Sequence, residues 1–345
     1  MIQKIKLLIP EAVEYFEIRY SILKLIAQNE PMGRRAISKE LDLPERKVRN
    51  ELLNLENLGY LITTTRGMSI TNNGKRVLID LKDIAEEIYL FDELAEKIES
   101  ILKIDKCLIS DFSITSEFGK REIANLVSKE ILSNLKENSI LGITGGRTMN
   151  IISEGLKTDR KYPNVIVVPA RGSIGRRLED QADSVAYKIA NKLGAENLNM
   201  QIPDTLDDDF LKTLRYDPEI GRAMDYLTRL DILVMGIGRA DNMGRKRQLR
   251  ELETRYLLEK KAVSEAFGSY YDIKGNSVLE SDSLLDIKDF KNIPKVIEIA
   301  GGKDKAQAVI SFTRVRNDIS LILDKDCADE ILSCVGNENK LLNNI

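Results

Sequence analysis

The sequence predicts an α/β protein in two parts: an N-terminal winged helix-turn-helix and a larger domain on a doubly wound, mostly parallel sheet. Three observations carry this. Residues 1–76 hold three amphipathic stretches followed by two short apolar runs around a turn. From residue 105 to 345, apolar runs alternate with stretches of helical spacing. Residues 77–104, between the two, repeat apolar positions at heptad spacing.

In the first part, Ile18, Ile22, Leu25 and Ile26 recur at helical spacing between Tyr15 and Ala27, and Asn29-Glu30-Pro31 ends that helix. A second short helix follows Gly33, with Ala36, Ile37 and Leu41 inward. Pro44 opens a third helix that runs to about Asn57 with Val48, Leu52 and Leu55 as its buried stripe, and Gly59 stops it. Tyr60-Leu61-Ile62 and Met68-Ser69-Ile70 read as two strands joined at Thr64–Gly67, and Thr71 is placed to cap the helix that follows. Three helices and a hairpin in this order make a winged helix-turn-helix. Its third helix exposes Arg46, Lys47, Arg49 and Asn50 near the N-terminal end, where base edges of a major groove are met. Arg46 and Arg49 are suited to guanine and Asn50 to adenine, while Arg34, Arg35, Lys47, Arg66 and Lys75 suit phosphate contacts.

Charge agrees with a polyanion-binding head. The chain carries a net −3, yet residues 33–76 hold nine Lys/Arg against five acids, which leaves −7 for the rest. There is no histidine, which excludes His zinc sites, Ser-His-Asp triads and histidine bases. Cys107, Cys327 and Cys334 show no metal spacing and suit a reducing compartment, so a cytoplasmic protein is expected. No run of about 18 apolar residues exists to span a membrane.

In the connector, Val77, Leu81, Ile84, Ile88, Phe91, Ala95, Ile98 and Leu102 alternate spacings of four and three. Two such helices side by side make a homodimer that sets two heads on a palindromic or repeated operator. A single amphipathic helix lying on its own body fits the same spacing.

The second part places apolar runs at Lys106–Ser110, Ile140–Thr144, Val165–Pro169, Leu198–Ile202, Ile232–Ile237, Val296–Ala300 and Ile319–Leu323. They are continuous rather than alternating, as strands covered on both faces are. Ligands of such sheets bind at the carboxyl ends of strands, and four loops there are suggestive. Thr144-Gly145-Gly146-Arg147-Thr148 offers backbone amides, hydroxyls and a helix start to an oxyanion. Arg171 follows the next strand. Gly236-Ile237-Gly238 leads to Asp241 and Arg247, and Gly301-Gly302 leads to Lys305. Together they suit a ligand with more than one phosphate, or a phosphate and sugar hydroxyls. Asp241 breaks the dinucleotide GxGxxG pattern, and no GxxxxGK[ST] exists.

The stretch GRRAISKELDLPERKVRNELLNLENLGYL, joined to LGITGGRT, ARGS, LVMGIG, SEAFGSYY and IAGGKDKAQA, resembles the sorbitol-operon (SorC/DeoR-type) family of sugar-binding transcription regulators, on its glycolytic branch. The resemblance covers nearly the whole chain. It implies a sensor domain akin to sugar-phosphate isomerases and deaminases, a DNA-binding repressor rather than an enzyme, and no cofactor. The implied effector is fructose-1,6-bisphosphate or a related sugar phosphate, and the implied assembly is a homotetramer on operator DNA whose repression the effector relieves. It also implies that Thr144 to Thr148 form the main phosphate loop, with Arg171 as phosphate partner and Gln181 as a polar effector contact. Arg247 and Lys305 then serve a second phosphate, while Asp241 and Glu265 face sugar hydroxyls. A sugar-phosphate isomerase with a DNA-binding head is the alternative. Asp241, Glu265 and Lys305 can move protons, but the deaminases of that fold use a histidine this chain lacks.

Overall fold

A computed structural model describes residues 9–85, 93–110, 112–175, 177–204, 208–280 and 287–342. The chain forms two compact units: Met1–Glu93 with Ser116–Phe118, and Leu94–Thr115 with Gly119–Ile345.

The first unit opens with α1 (Pro10–Asn29), which starts five residues before the helix expected from Tyr15, with a proline in its first turn. Then come α2 (Arg34–Glu40), α3 (Glu45–Asn57), β1 (Leu61–Thr64), β2 (Gly67–Ile70) and α4 (Asn72–Asp80). Pro44 is the residue before α3 rather than its first helical residue. Val48, Leu52 and Leu55 form the buried stripe that their spacing predicts, and Ile22, Leu25, Ile26 and Ile37 are buried on the two helices that pack with α3. Arg19 Nε meets the buried Glu51 carboxylate at 2.6 Å and ties α1 to α3. The antiparallel ribbon pairs Leu61 with Ile70 and Thr64 with Gly67. Thr71 Oγ1 caps α4 by accepting the Gly74 N–H at 3.1 Å.

The connector departs from a continuous seam. α4 stops at Asp80, Leu81 leaves helical backbone at φ −97°, ψ 4°, and residues 82–85 are helical again. The expected seam positions Ile88 and Phe91 lie outside the described residues. Beyond them, α5 (Glu93–Leu102) buries Ala95, Ile98 and Leu102 in the core of the second unit. That corrects the dimer seam over these positions: an apolar stripe packs on the nearest apolar surface, and here its own domain supplies one.

The second unit continues through β3 (Lys106–Ser110), α6 (Glu117–Asn134), β4 (Ile140–Ile143), α7 (Arg147–Gly155), β5 (Ile166–Pro169), α8 (Ala182–Leu193) and β6 (Glu196–Asn197). Next are α9 (Asp208–Leu214), α10 (Pro218–Leu227), β7 (Ile232–Gly236), β8 (Gly238–Arg239), α11 (Ala240–Lys246), α12 (Glu251–Glu259), β9 (Ala262–Ala266), β10 (Ser269–Asp272) and β11 (Ser277–Leu279). α13 (Ile287–Asn292), β12 (Lys295–Ala300), α14 (Ala306–Thr313), β13 (Ser320–Asp324) and α15 (Lys325–Leu342) complete it.

Seven strands form one sheet in the order β3-β13-β12-β7-β4-β5-β6, every pairing parallel. β7 and β4 are neighbours, and from that pair the chain winds outward in opposite directions, so the topological switch point lies between them. Strand residues alternate between two cores: Ile232 and Val234 face one side, Leu233 and Met235 the other. A second, antiparallel sheet, β11-β10-β9-β8, stands apart from the first. The alternating run-and-helix pattern did not anticipate it, because its strands are short and broken by turns.

The run Leu198–Ile202 was expected as a strand, but the paired residues are Glu196 and Asn197. Asp183 Oδ1 accepts the N–H groups of Met200 and Gln201, and Gln201 sits at φ +46°, so ladder donors are diverted and the backbone bends. Among the described residues no helix is long and apolar enough to cross a membrane.

Two buried acids mark opposite regimes in this sheet. Near the amino ends of the strands, Glu130 takes Lys106 Nζ at 2.6 Å, Lys295 Nζ at 3.0 Å and the Ser320 hydroxyl at 2.7 Å. Burial alone would raise its pKa, but these donors outweigh it and hold the carboxyl at about 2. Glu298, in mid-β12, is fully buried, and neither of its carboxyl oxygens has a hydrogen-bond partner among the described residues. Burial pushes its pKa from 4.5 up to about 8.

Between those two pH values the folded chain keeps the Glu298 proton and the unfolded chain does not. Stability from this group is therefore full in acid and falls as pH rises toward 8, by up to about 1.4 kcal/mol per pH unit. Glu298→Gln is expected to flatten that slope in urea unfolding, matching the parent at pH 5 and exceeding it at pH 8. An unchanged slope refutes the assignment.

Candidate functional site

The site grows from the switch point. Thr144 extends β4 by one residue: its N–H donates to the Val234 carbonyl at 3.1 Å, and its buried hydroxyl accepts the Gly236 N–H at 3.4 Å. Gly145 then passes so close to the backbone of Asp180–Ala182 that a Cβ would lie 2.6 Å from the Asp180 carbonyl oxygen. Gly146, at φ +116°, turns the chain into α7, a conformation that costs glycine little. Its N–H is taken by the Asp180 carbonyl at 2.7 Å. Among the described residues no side chain caps α7, so the amides of Arg147, Thr148 and Met149 open the helix with no intrahelical acceptor. Arg147 is exposed and Thr148 half-buried beside them. Amides, a hydroxyl and a guanidinium at one helix start are an oxyanion cradle.

The next strand end, after β5, carries Arg171 into a ring of four charges. Arg171 Nη2 lies 3.0 Å from Glu265 Oε1 and 3.4 Å from Asp204 Oδ2. Arg247 Nη2 lies 2.5 Å from the same Asp204 oxygen and 3.2 Å from the same Glu265 oxygen. Asp204 also accepts the Gly172 N–H at 3.1 Å, and Glu265 the Gly268 N–H at 2.9 Å. Burial opposes charge on Glu265 and Arg171. The partners outweigh it, so Glu265 is held below the usual carboxylate range and the Arg171 pKa is raised. Arg171 Nε, Glu265 Oε2 and the Tyr270 hydroxyl are buried with no hydrogen-bond partner among the described residues, which suits a polar ligand.

Past β12, Gly302 is held by Asp324, whose carboxylate accepts the N–H groups of Gly302, Ile114 and Cys327. The turn delivers Lys305, whose Nζ donates to the Ile237 carbonyl at 2.8 Å, just past β7. Burial lowers the Lys305 pKa from the ordinary lysine value. Strand order therefore aligns Arg171, Thr144, Ile237 and Lys305 along the carboxyl edge.

Two expected effector contacts sit differently. The Gln181 carboxamide is engaged by its own loop, accepting the Ile174 N–H at 2.8 Å and donating to the Ile174 and Gly175 carbonyls. Asp241 is paired with Arg239, and lines a cavity of about 350 Å³ with Arg239, Lys303 and Asp304. The ring does not include it. Asp204 and Tyr270 join the site without a motif that marks them. The signal for Asp204 was an acid two residues past the apolar run Leu198–Ile202; for Tyr270 there was none, since a tyrosine in SEAFGSYY reads as core. Among the described residues no cluster of His, Cys, Asp or Glu is placed to hold a metal.

The head sorts its cations into two sets. Arg34 meets Glu45 at 2.9 Å, Lys47 meets Glu14 at 2.6 Å, and Lys75 meets Glu30 at 3.1 Å. Arg35, Arg46, Arg49, Asn50 and Arg66 are exposed, and their side chains have no ion pair or hydrogen bond among the described residues. Arg46, Arg49 and Asn50 share the outer face of α3, and Arg66 stands at the tip of the ribbon.

Comparison with known proteins follows this division. The family described as "Putative sugar-binding domain" matches residues 87–333, and that described as "CggR N-terminal DNA binding domain" matches residues 16–85. The central glycolytic genes regulator of Priestia megaterium is 30% identical over 332 residues, 94% of this chain and 96% of that protein. Among solved structures, a SorC family transcriptional regulator from Enterococcus faecalis superposes with a TM-score of 0.65 at 26% identity, covering 70% of this chain and 99% of that one. The full-length sorbitol operon regulator of Klebsiella pneumoniae shares the fold over 92% of this chain and 98% of that one, with a TM-score of 0.60 at 17% identity.

For duplex DNA, alanine at Arg46, Arg49 or Arg66 is expected to weaken binding and to lower the slope of log affinity against log salt by about one each where a phosphate is met. Alanine at Arg34, Lys47 or Lys75 is expected to cost less, since a cation already paired with a carboxylate is less available to a phosphate. Salt titrations of the six variants by fluorescence anisotropy check this; equal losses in both sets would refute it.

Proposed function

The chain belongs to the family of central glycolytic genes regulators, with its DNA-binding and sugar-binding domains, and from that premise we propose that it is a transcriptional repressor whose grip on operator DNA is set by a phosphorylated sugar. The N-terminal unit serves as a winged helix-turn-helix, with α3 in the major groove and the ribbon against the backbone. The effector is fructose-1,6-bisphosphate or a close relative. One observation carries the sensor reading: the uncapped start of α7, the Arg171–Arg247 pair and Lys305 all stand at the carboxyl edge of one parallel sheet, around its switch point. One phosphate rests on the amides and hydroxyl of Thr144–Thr148; the far end of the sugar addresses the arginines, Glu265 and Lys305. Two or four copies bring paired heads to a repeated operator.

Effector can weaken operator binding only by favouring an arrangement that binds DNA less well, and the coupling is reciprocal. With duplexes selected from a random library by the full chain, fructose-1,6-bisphosphate is expected to raise the operator Kd at least tenfold. Arg147→Ala and Lys305→Ala should abolish that response and keep DNA binding, and Arg49→Ala should do the reverse. Identical bisphosphate affinity with and without operator would refute the coupling.

A further inference from the structure

The four-charge ring is electrically neutral before any ligand arrives. One oxygen of Asp204 and one of Glu265 each touch both guanidiniums. The side chains of Asp204 and Glu265 are wholly buried, Arg247 is 3% exposed and Arg171 13%. In so dry a setting, a phosphoryl group approaching the arginines meets two carboxylates already in place, and repulsion cancels most of the attraction. The two acids are not held alike. Glu265 lies within β9, paired on both sides by β8 and β10. Asp204 lies on the irregular stretch after Ile202, attached to the Arg171 loop through the Ser173–Pro203 bridge and the Gly172 N–H.

The geometry points to Asp204 as an internal stand-in for the effector's anionic group: its carboxylate occupies the Arg171–Arg247 pair in the free protein and competes with a ligand phosphoryl group for it. The ring thereby holds two buried arginines without a ligand, at the cost of affinity, so that Asp204 sets the concentration at which the sensor responds. This rests on the sensor reading of the same site. It adds that removing a charge from the site improves binding, whereas an acid that merely positions the arginines would have the opposite effect on removal.

Asp204→Asn keeps the shape and an oxygen for the Gly172 N–H, and leaves the ring with one net positive charge. Without ligand the variant is expected to melt below the parent. In calorimetric titration of the full chain it should bind fructose-1,6-bisphosphate about tenfold more tightly or better. Inorganic phosphate should stabilise it in thermal melts by more than it stabilises the parent, because the Thr144–Thr148 cradle is the same in both and only the arginine pair differs. If the variant does not fold alone, refolding in the presence of bisphosphate or phosphate should rescue it, because the added anion replaces the missing carboxylate. Equal or weaker bisphosphate binding, with no rescue, overturns the inference. A parent that binds no sugar phosphate while Asp204→Asn binds inorganic phosphate removes the sensor reading and leaves the competition intact.

Discussion

Placing two guanidiniums under a sheet edge is the constraint to which the α/β domain is fitted. A buried ion in a protein interior costs several kcal/mol unless it is paired with good geometry. Arg171 and Arg247 meet that cost with carboxylates from two other regions, and each carboxylate is in turn steadied by a glycine N–H. Four segments far apart in the chain are thereby drawn together: the end of β5, the turn after Ile202, the end of α11 and the middle of β9. The antiparallel sheet presents Glu265 from a strand paired on both sides, and the bent path of Leu198–Ile202 leads to Asp204 on an irregular stretch. Affinity for an anion is then a competition inside the protein rather than a simple attraction.

The opposite edge of the same sheet shows the contrast. Glu130, fully satisfied by two lysines and a hydroxyl, joins β12 and β13 to α6 and has nothing left to offer a ligand. Satisfaction of this kind is what a structural acid requires. The carboxyl edge instead keeps buried polar atoms, on Arg171, Glu265 and Tyr270, that have no hydrogen-bond partner among the described residues. The head applies the same distinction at its surface. Cations with intramolecular carboxylates fix the orientation of α1 and α3, and those without partners lie on the faces open to a polyanion.

Much of this was legible in the residues themselves. The helical spacing of Val48, Leu52 and Leu55, the glycine pair after β4 and the continuous apolar runs of the parallel strands are local signals, because period and backbone freedom are properties of a few adjacent residues. Hence three helices with a ribbon, a parallel sheet and the loop Thr144–Thr148 were readable. The heptad spacing of Ala95, Ile98 and Leu102 was equally clear, yet period shows only that a stripe is apolar and not which surface covers it.

Sequence alone determined which residues are able to meet an anion or a base edge, and roughly where along the strands they fall. Tertiary structure decided which of them are free to do so. Gln181 is bound to its own loop, Asp241 is claimed by Arg239, and Asp204 joins Arg171 across 33 positions of the chain. Pairing between charges depends on distances of a few ångströms set by strand order and by the path of irregular turns, and no period or spacing encodes those.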